Sequence, residues 1–418
     1  MRMKYILVIG DGMADNPVPE LGNRTPLEAA NKPVMDRLAK QGMLGSVVNC
    51  PKGLPAGSET AILSIFGYDP LRFFTGRSPM EAAASGIHLH SGDVAYRMNL
   101  VSLEDSDKPY EEKRILSHSA GSIDGEDAFA AVDALEHDAR FAALLKQANM
   151  TIHRFPAFRQ IPVQSGADIK GLVTIPPHDH LGEQIGPLQP SGCENAKLLA
   201  HMMKTAHEVL NHAPVNERRR AAGKLPANGI WFWAQGTAVE LPDFRKMFGH
   251  WGCVISAVPL CHGIAVLGGL EMTTVEGATG EINTNFEGKW EKAWELLHRP
   301  DVDFICIHLE APDECTHNGD LKGKVQAIEW LDSRILAPLT ERMDAEHLDY
   351  RMLILSDHKT LTATRGHDGD PVPYLIYDST KKTDAGLPYT EKNGEKGPFL
   401  KAGTGLMKEL FEESETIK

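Results

Sequence analysis

Six short apolar runs constrain this chain most: YILVIG (5–10), GIWFWA (229–234), CVISAV (253–258), VDFICIHL (302–309), MLILS (352–356) and PYLIY (373–377). Each is bounded by turn residues, too short for a buried helix, and rich in β-branched or aromatic side chains. Such runs read as strands buried on both faces, as in a parallel sheet. Helical patterns lie between several of them. In 324–339 Ile328, Leu331 and Ile335 share a stripe, and in 290–297 Trp290, Ala293, Trp294 and Leu297 do so. Alternating strands and helices predict an α/β architecture with a mainly parallel sheet between helices.

One region breaks the rhythm. Val94, Tyr96 and Met98 alternate with other residues in 93–103, as in a half-exposed strand, and 123–135 reads as a capped helix. The segments 154–164 and 171–177 read as further strands. The pattern predicts a smaller α+β domain over 91–180, inserted into a discontinuous core of 1–90 and 181–418. The segment 212–229 reads as a polar connection back to that core, with Arg218 to Arg220 on a solvated helix face.

Composition narrows the function. The 418 residues carry 43 basic and 57 acidic side chains, a formal charge of −14. A phosphate backbone demands a basic face, so nucleic acid is not the expected partner. A small anion remains compatible, because local arginines or metal ions override the global sign. The six cysteines, at 50, 193, 253, 261, 306 and 315, form no C-x-x-C pair and fit a reducing cytoplasm. The apolar run near residue 1 is too short for a signal peptide, and no segment reaches the length of a membrane span. The oligomeric state stays open.

In open parallel sheets, ligands bind beyond the carboxyl ends of the strands. Asp11 follows the first run, Asp313 and His317 follow the fourth, Asp357 and His358 follow the fifth, and His367 comes nine residues later. The bend LPAGSE supplies Ser58. Asp313 and His317 share a face of any helical turn, which Pro312 would open and Asn318-Gly319 would close. Mixed Asp and His ligands favour zinc or manganese, whereas a purely oxygen site would favour magnesium or calcium. These seven residues exceed one tetrahedral site and suit two ions that clamp a transferring phosphoryl group. Singly, an Asp after a strand is a cap or turn former, and Ser58 is a cap. Their convergence on one sheet edge favours a site, since histidine is a poor cap, and their company favours Ser58 as nucleophile. His88, His90, His137 and His212 lack such company.

DGMAD, PAGSETA, GRSPMEAA, PPHD, VEGATGEINTNFEGK, HLEAPDECTHNGD, SDH and GDPVPYLIYD follow one another along nearly the whole chain. This set resembles the cofactor-independent phosphoglycerate mutases of the archaeal type, in the alkaline phosphatase superfamily. The resemblance implies an alkaline-phosphatase-like core with an inserted lid, and interconversion of 3- and 2-phosphoglycerate through a phosphoserine at Ser58. It also implies that Asp11, Ser58, Asp357 and His358 hold one divalent ion and that Asp313, His317 and His367 hold the other. Manganese comes first, with zinc, magnesium or cobalt as alternatives, and 2,3-bisphosphoglycerate is not needed. Arg77, Arg97 and Arg159 match family arginines expected to grip the carboxylate and phosphate of a small phosphorylated substrate.

The chain departs from the family in LCHGIA, where His262 takes the place of a lysine expected to neutralise phosphoryl charge. Lys359 and Arg365 add positive charge near His367. A close branch sharing APDEC and the PANxIWxWxQG element has been proposed to be a homoserine kinase. A related phosphotransferase of that kind, or a metal-dependent phosphatase with an open pocket, is therefore the alternative. No G-x-x-x-x-G-K-[ST] loop is present.

Overall fold

A computed structural model describes residues 3–384 and 386–412. The chain forms two compact units, one of Met1–Phe74 with Glu240–Lys418 and one of Thr75–Val239. It opens the first unit with β1 (Lys4–Gly10) and β2 (Met43–Val47). The second unit contributes β3 (Asp93–Leu103), β4 (Ile115–Ser117), β5 (Met150–His153), β6 (Arg159–Ser165) and β7 (Gly229–Thr237). The return to the first unit adds β8 (Gly252–Ile255), β9 (Glu271–Thr273), β10 (Phe304–Leu309), β11 (Tyr350–Leu355), β12 (Lys359–Leu361), β13 (Gly366–Asp368), β14 (Val372–Asp378) and β15 (Phe399–Leu400).

The first unit is built on an eight-stranded sheet of order β15-β2-β14-β11-β1-β10-β8-β9. Its centre is parallel: β1 pairs with β10 and β11, and β8 pairs with β10 and β9. Ile6, Leu7, Val8 and Ile9 of β1 are fully buried, as continuous apolar runs between helical layers require. The α/β architecture with a mainly parallel sheet is therefore as expected. β14, however, runs antiparallel to β11 and β2. Only the short hairpin β12–β13 lies between β11 and β14, and without a crossover helix the chain cannot return in parallel. No helix among the described residues is long and apolar enough to cross a membrane.

The second unit is an antiparallel sheet of order β4-β3-β6-β5, with β7 on the other side of β3. Its helices Gly125–His137, Ala139–Ala148 and Glu194–Leu210 close a core around Val94, Met98, Phe141, Leu199 and Trp231. GIWFWA thus belongs here rather than to the parallel sheet: an apolar run reports burial on two faces, not strand direction. The unit begins near residue 75 and ends near 239, not at 91 and 180. The β3–β7 ladder from Val94↔Thr237 to Val101↔Gly229 draws in the later segment.

β3 is buried along its whole length, not half-exposed. Its polar members find distant partners: Asp93 accepts from Ser165 Oγ at 2.6 Å, and Asn99 Oδ1 accepts from Trp233 Nε1 at 3.0 Å. The segment 171–177 forms no strand. Pro176 and Pro177 lack the amide hydrogens a ladder needs, and only Val173 bridges to Ser191. The segment 212–229 contains a helix, Pro214–Ala221, and Arg219 on it is buried rather than solvated. Its guanidinium donates to Asp127 Oδ2 at 2.8 Å and to the Ala120 carbonyl at 2.9 Å.

Candidate metal centre

The carboxyl ends of β11, β1, β10 and β8 lie side by side, and the candidate ligands leave from three of them. Asp11 follows β1 directly. Asp357 and His358 follow β11, with Asp357 Oδ1 accepting from the amides of Gly12 at 3.0 Å and His358 at 2.8 Å. After β10 the helix Ala311–His317 carries Asp313 and His317 one turn apart, starting with Pro312 in its first turn. His367 arrives on β13.

Ser58 is the first residue of the helix Ser58–Ile65, and Gly57 is its N-cap. The serine side chain is therefore not a cap. Ser58 Oγ donates to Asp11 Oδ2 at 3.1 Å and lies 3.2 Å from His358 Nε2. It stands at a helix N-terminus, where the dipole favours an anionic group.

The candidate ligands fall into two groups. Asp11, Asp357 and His358 are fully buried and present donor atoms to one another, while Asp313, His317 and His367 form a second, more open group. In the second, His317 Nε2 lies 3.1 Å from Asp313 Oδ2, and His367 Nε2 lies 3.4 Å from Asp313 Oδ1. The imidazoles of His358 and His367 join the groups, with ring centroids 4.2 Å apart. His317 Nδ1–H donates to the Arg365 carbonyl at 2.8 Å, which turns Nε2 inward.

Electrostatics tests whether cations fit. Burial, then the charges of Asp357, Asp313 and Glu310, raise the Asp11 carboxyl well above its usual range. Asp357 Oδ2 is buried without a hydrogen-bond partner among the described residues. Burial works to raise Asp313 too, yet hydrogen bonds from His317 and His367 outweigh it and hold it well below. The Asp313 carboxylate in turn lifts His317 to about 9. Packed carboxylates, an orphaned buried oxygen and inward-facing imidazole nitrogens form a donor set that fits two divalent cations.

Two buried side chains beside the site escaped the sequence reading. His308, in β10, donates from Nε2 to Asp11 Oδ2 at 3.1 Å, while Ser256 Oγ lies 3.1 Å from its Nδ1. Burial pushes this imidazole down to about 3, so it is a neutral donor that aims Asp11. Its signal was a histidine inside an apolar strand. Lys289 is buried on the helix Phe286–Leu297, where Nζ donates to the His308 carbonyl at 2.8 Å. Its signal was a lysine on the apolar stripe of Phe286, Ala293 and Leu297.

The chain matches the model of the metalloenzyme superfamily over residues 3–411. It is 39% identical over 401 residues to a 2,3-bisphosphoglycerate-independent phosphoglycerate mutase of Methanosarcina acetivorans, covering 94% of this chain and 96% of the relative. A probable enzyme of the same name from Geobacter sulfurreducens is 38% identical over 413 residues, covering 98% and 100%. The chain belongs to this mutase family of the metalloenzyme superfamily. Among solved structures, the PH0037 protein of Pyrococcus horikoshii superposes with a TM-score of 0.77 at 31% identity, over 98% of this chain and 97% of that one.

The substrate-binding candidates of that family lie in both units. His262, in the helix Pro259–Leu267 of the first unit, is buried, and burial lowers its basicity below the ordinary histidine value. Burial thus works against the positive charge that the lysine would bring there. Lys359 donates to Asn16 Oδ1 at 3.0 Å. In the second unit Arg77, Arg97 and Arg159 gather around Glu81. Arg97 Nε donates to Glu81 Oε2 at 2.8 Å, its Nη2 reaches Glu81 Oε1, and its guanidinium lies 4.6 Å from the Trp233 ring. Arg77 Nε donates to Glu81 Oε1 at 3.2 Å. Burial and the charge of Arg97 push Arg159 down to about 10.

Proposed function

We propose that the protein interconverts 3-phosphoglycerate and 2-phosphoglycerate without 2,3-bisphosphoglycerate, with Ser58 carrying the phosphoryl group. The observation behind this reading is the place of Ser58 Oγ, 3.1 Å from Asp11 and 3.2 Å from His358 at the carboxyl edge of the sheet. Asp11, Ser58, Asp357 and His358 would hold one divalent cation, and Asp313, His317 and His367 the other. When bound, the cations supply the positive charge that favours the Ser58 alkoxide and neutralises the phosphoryl oxygens. Asp11 holds the serine hydroxyl in place, and His308 holds Asp11. Ser58 Oγ forms its bond to phosphorus as the bond from phosphorus to one glycerate oxygen breaks, leaving phosphoserine and glycerate. Reversal onto the other glycerate hydroxyl completes the exchange by positioning and charge neutralisation.

A mutase must keep water from the phosphoserine, so the unit of Thr75–Val239 is assigned the role of lid. Arg77, Arg97 and Arg159 are its candidates for gripping the carboxylate and phosphate of the substrate. The six free cysteines support a cytoplasmic location. The test is incubation with manganese and 3-phosphoglycerate, without bisphosphoglycerate or nucleotide, following 2-phosphoglycerate and free phosphate. Formation of 2-phosphoglycerate without phosphate release is the expected result. Phosphate alone would mean a phosphatase. Neither product, with two ions bound, would mean another acceptor, and homoserine with ATP would be tried next.

A further inference from the structure

Thr360 lies between the two groups of ligands and is fully buried. Its hydroxyl donates to Asp313 Oδ1 at 2.5 Å. The same oxygen lies 3.3 Å from His358 Nδ1, which also lies 3.2 Å from the Lys359 carbonyl. A carbonyl only accepts, so Nδ1 carries a hydrogen and donates to both oxygens, which turns Nε2 toward Asp11, Asp357 and Ser58. On the hairpin β12–β13, Thr360 stands directly opposite His367. One hydroxyl therefore addresses a ligand from each group and sits across the strand from a third.

The surroundings hold this residue in place. The Thr360 amide donates to the Ala14 carbonyl at 3.1 Å, and its carbonyl accepts from Lys324 Nζ at 2.6 Å. Lys324 is itself buried and paired with Asp15 Oδ2 at 2.9 Å, while Asp15 Oδ2 accepts from Thr362 Oγ1 at 2.6 Å. Gly12, with φ of +61°, leaves the space: a Cβ there would overlap the Thr360 hydroxyl and the Asp313 carboxylate.

We infer that Thr360 is a positioning residue shared by both cation sites, its hydroxyl setting the Asp313 carboxylate for one and the orientation of the His358 imidazole for the other. The inference rests on the two-cation reading of the site. Loss of a partner to a metal ligand typically lowers affinity 10- to 100-fold. Removal of this hydroxyl should therefore weaken both sites, whereas loss of a ligand such as His367 should empty one.

The test uses the manganese-loaded full chain, dialysed against graded chelator, with ions per chain counted by atomic spectroscopy. Thr360→Val should release both ions at about 10- to 100-fold lower free chelator than wild type. Thr360→Ser, which keeps the hydroxyl, should release them within about threefold of wild type. Thr340→Val removes another buried hydroxyl, bonded only to carbonyls of its own helix, and should change nothing. Thr360→Ala repeats the test if the valine variant loses the wild-type circular dichroism spectrum. Unchanged retention in the valine or alanine variant overturns the inference, as does release of one ion only. Equal weakening in the serine variant also overturns it, by assigning the effect to methyl packing. A wild-type chain that retains fewer than two ions overturns the two-cation reading, and this inference with it. A wild-type chain that retains two isolates the question to Thr360.

Discussion

Lys289→Met tests the electrostatics beneath the site. The lysine is 1% exposed, and burial pushes its ammonium from the ordinary 10.5 down to about 8. A drop of that size corresponds to about 3 kcal/mol against the charged form in the fold. The unfolded chain keeps this proton up to about pH 10.5, while the folded chain releases it near pH 8. Between those values the unfolded state binds more protons, so stability rises with pH. The penalty is thus fully present below pH 8 and fades as pH approaches 10.5. Methionine fills similar space without charge, but it forfeits the hydrogen bond to His308, worth about 1 kcal/mol. At pH 7 the variant should therefore be more stable than wild type by about 2 kcal/mol. The gap should narrow by about 1 kcal/mol at pH 9 and close by about pH 10. Urea unfolding of both proteins from pH 6 to 10, followed by tryptophan fluorescence, measures this, and other titrations cancel in the difference. A gap that does not change with pH refutes the argument. So does a variant less stable at pH 7, which would mean that the fold compensates the ammonium more than its burial opposes it.

Three further outcomes can be checked directly. Ser58→Ala should lower turnover by at least about 1,000-fold, as loss of a nucleophile does, while the ion held by Asp313, His317 and His367 stays bound in equilibrium dialysis. His367→Ala should reduce the bound manganese from two ions per chain to one, because Asp11, Asp357 and His358 remain as a complete group. Arg97→Met should destabilise the second unit by about 3–5 kcal/mol, since Glu81 would stay buried without its main cation, and adding Glu81→Gln should restore most of that loss in thermal unfolding.

Some of the fold was legible in the sequence because the runs before Asp11, Ser256 and Asp357 are continuous, apolar and bounded by turns. Burial on two faces imposes that pattern on any central strand of a layered sheet. Direction is another matter, because it depends on what connects the strands. β14 returns antiparallel through a hairpin, and β7 pairs with β3 across more than a hundred residues of chain. The same long reach hid the character of β3. Arg97 and Asn99 read as solvent-facing until Glu81 and Trp233 supply their partners.

The candidate site divides along the same line. Asp11, Asp313, His317, Asp357 and His358 were legible because each follows a strand end closely, so local position already implies the edge where ligands gather. His308 and Thr360 were not, because their roles arise from register. His308 stands opposite Ile9, two residues before Asp11, and Thr360 stands opposite His367. Neither relation can be read from spacing along the chain. The two residues share a logic: each donates a hydrogen bond to a carboxylate that would otherwise repel its neighbours, and each is held by the fold rather than by the cations. That division makes a prediction about removal of the metal. Ligands kept in place only by the ions should relax, whereas Asp11 and Asp313 should keep their positions through His308 and Thr360. Amide hydrogen exchange of the chelated protein should thus accelerate in 364–368 around His367 and stay slow in β1 and β10. Equal acceleration in all three segments would mean that the cations, not the hydrogen bonds, organise the edge.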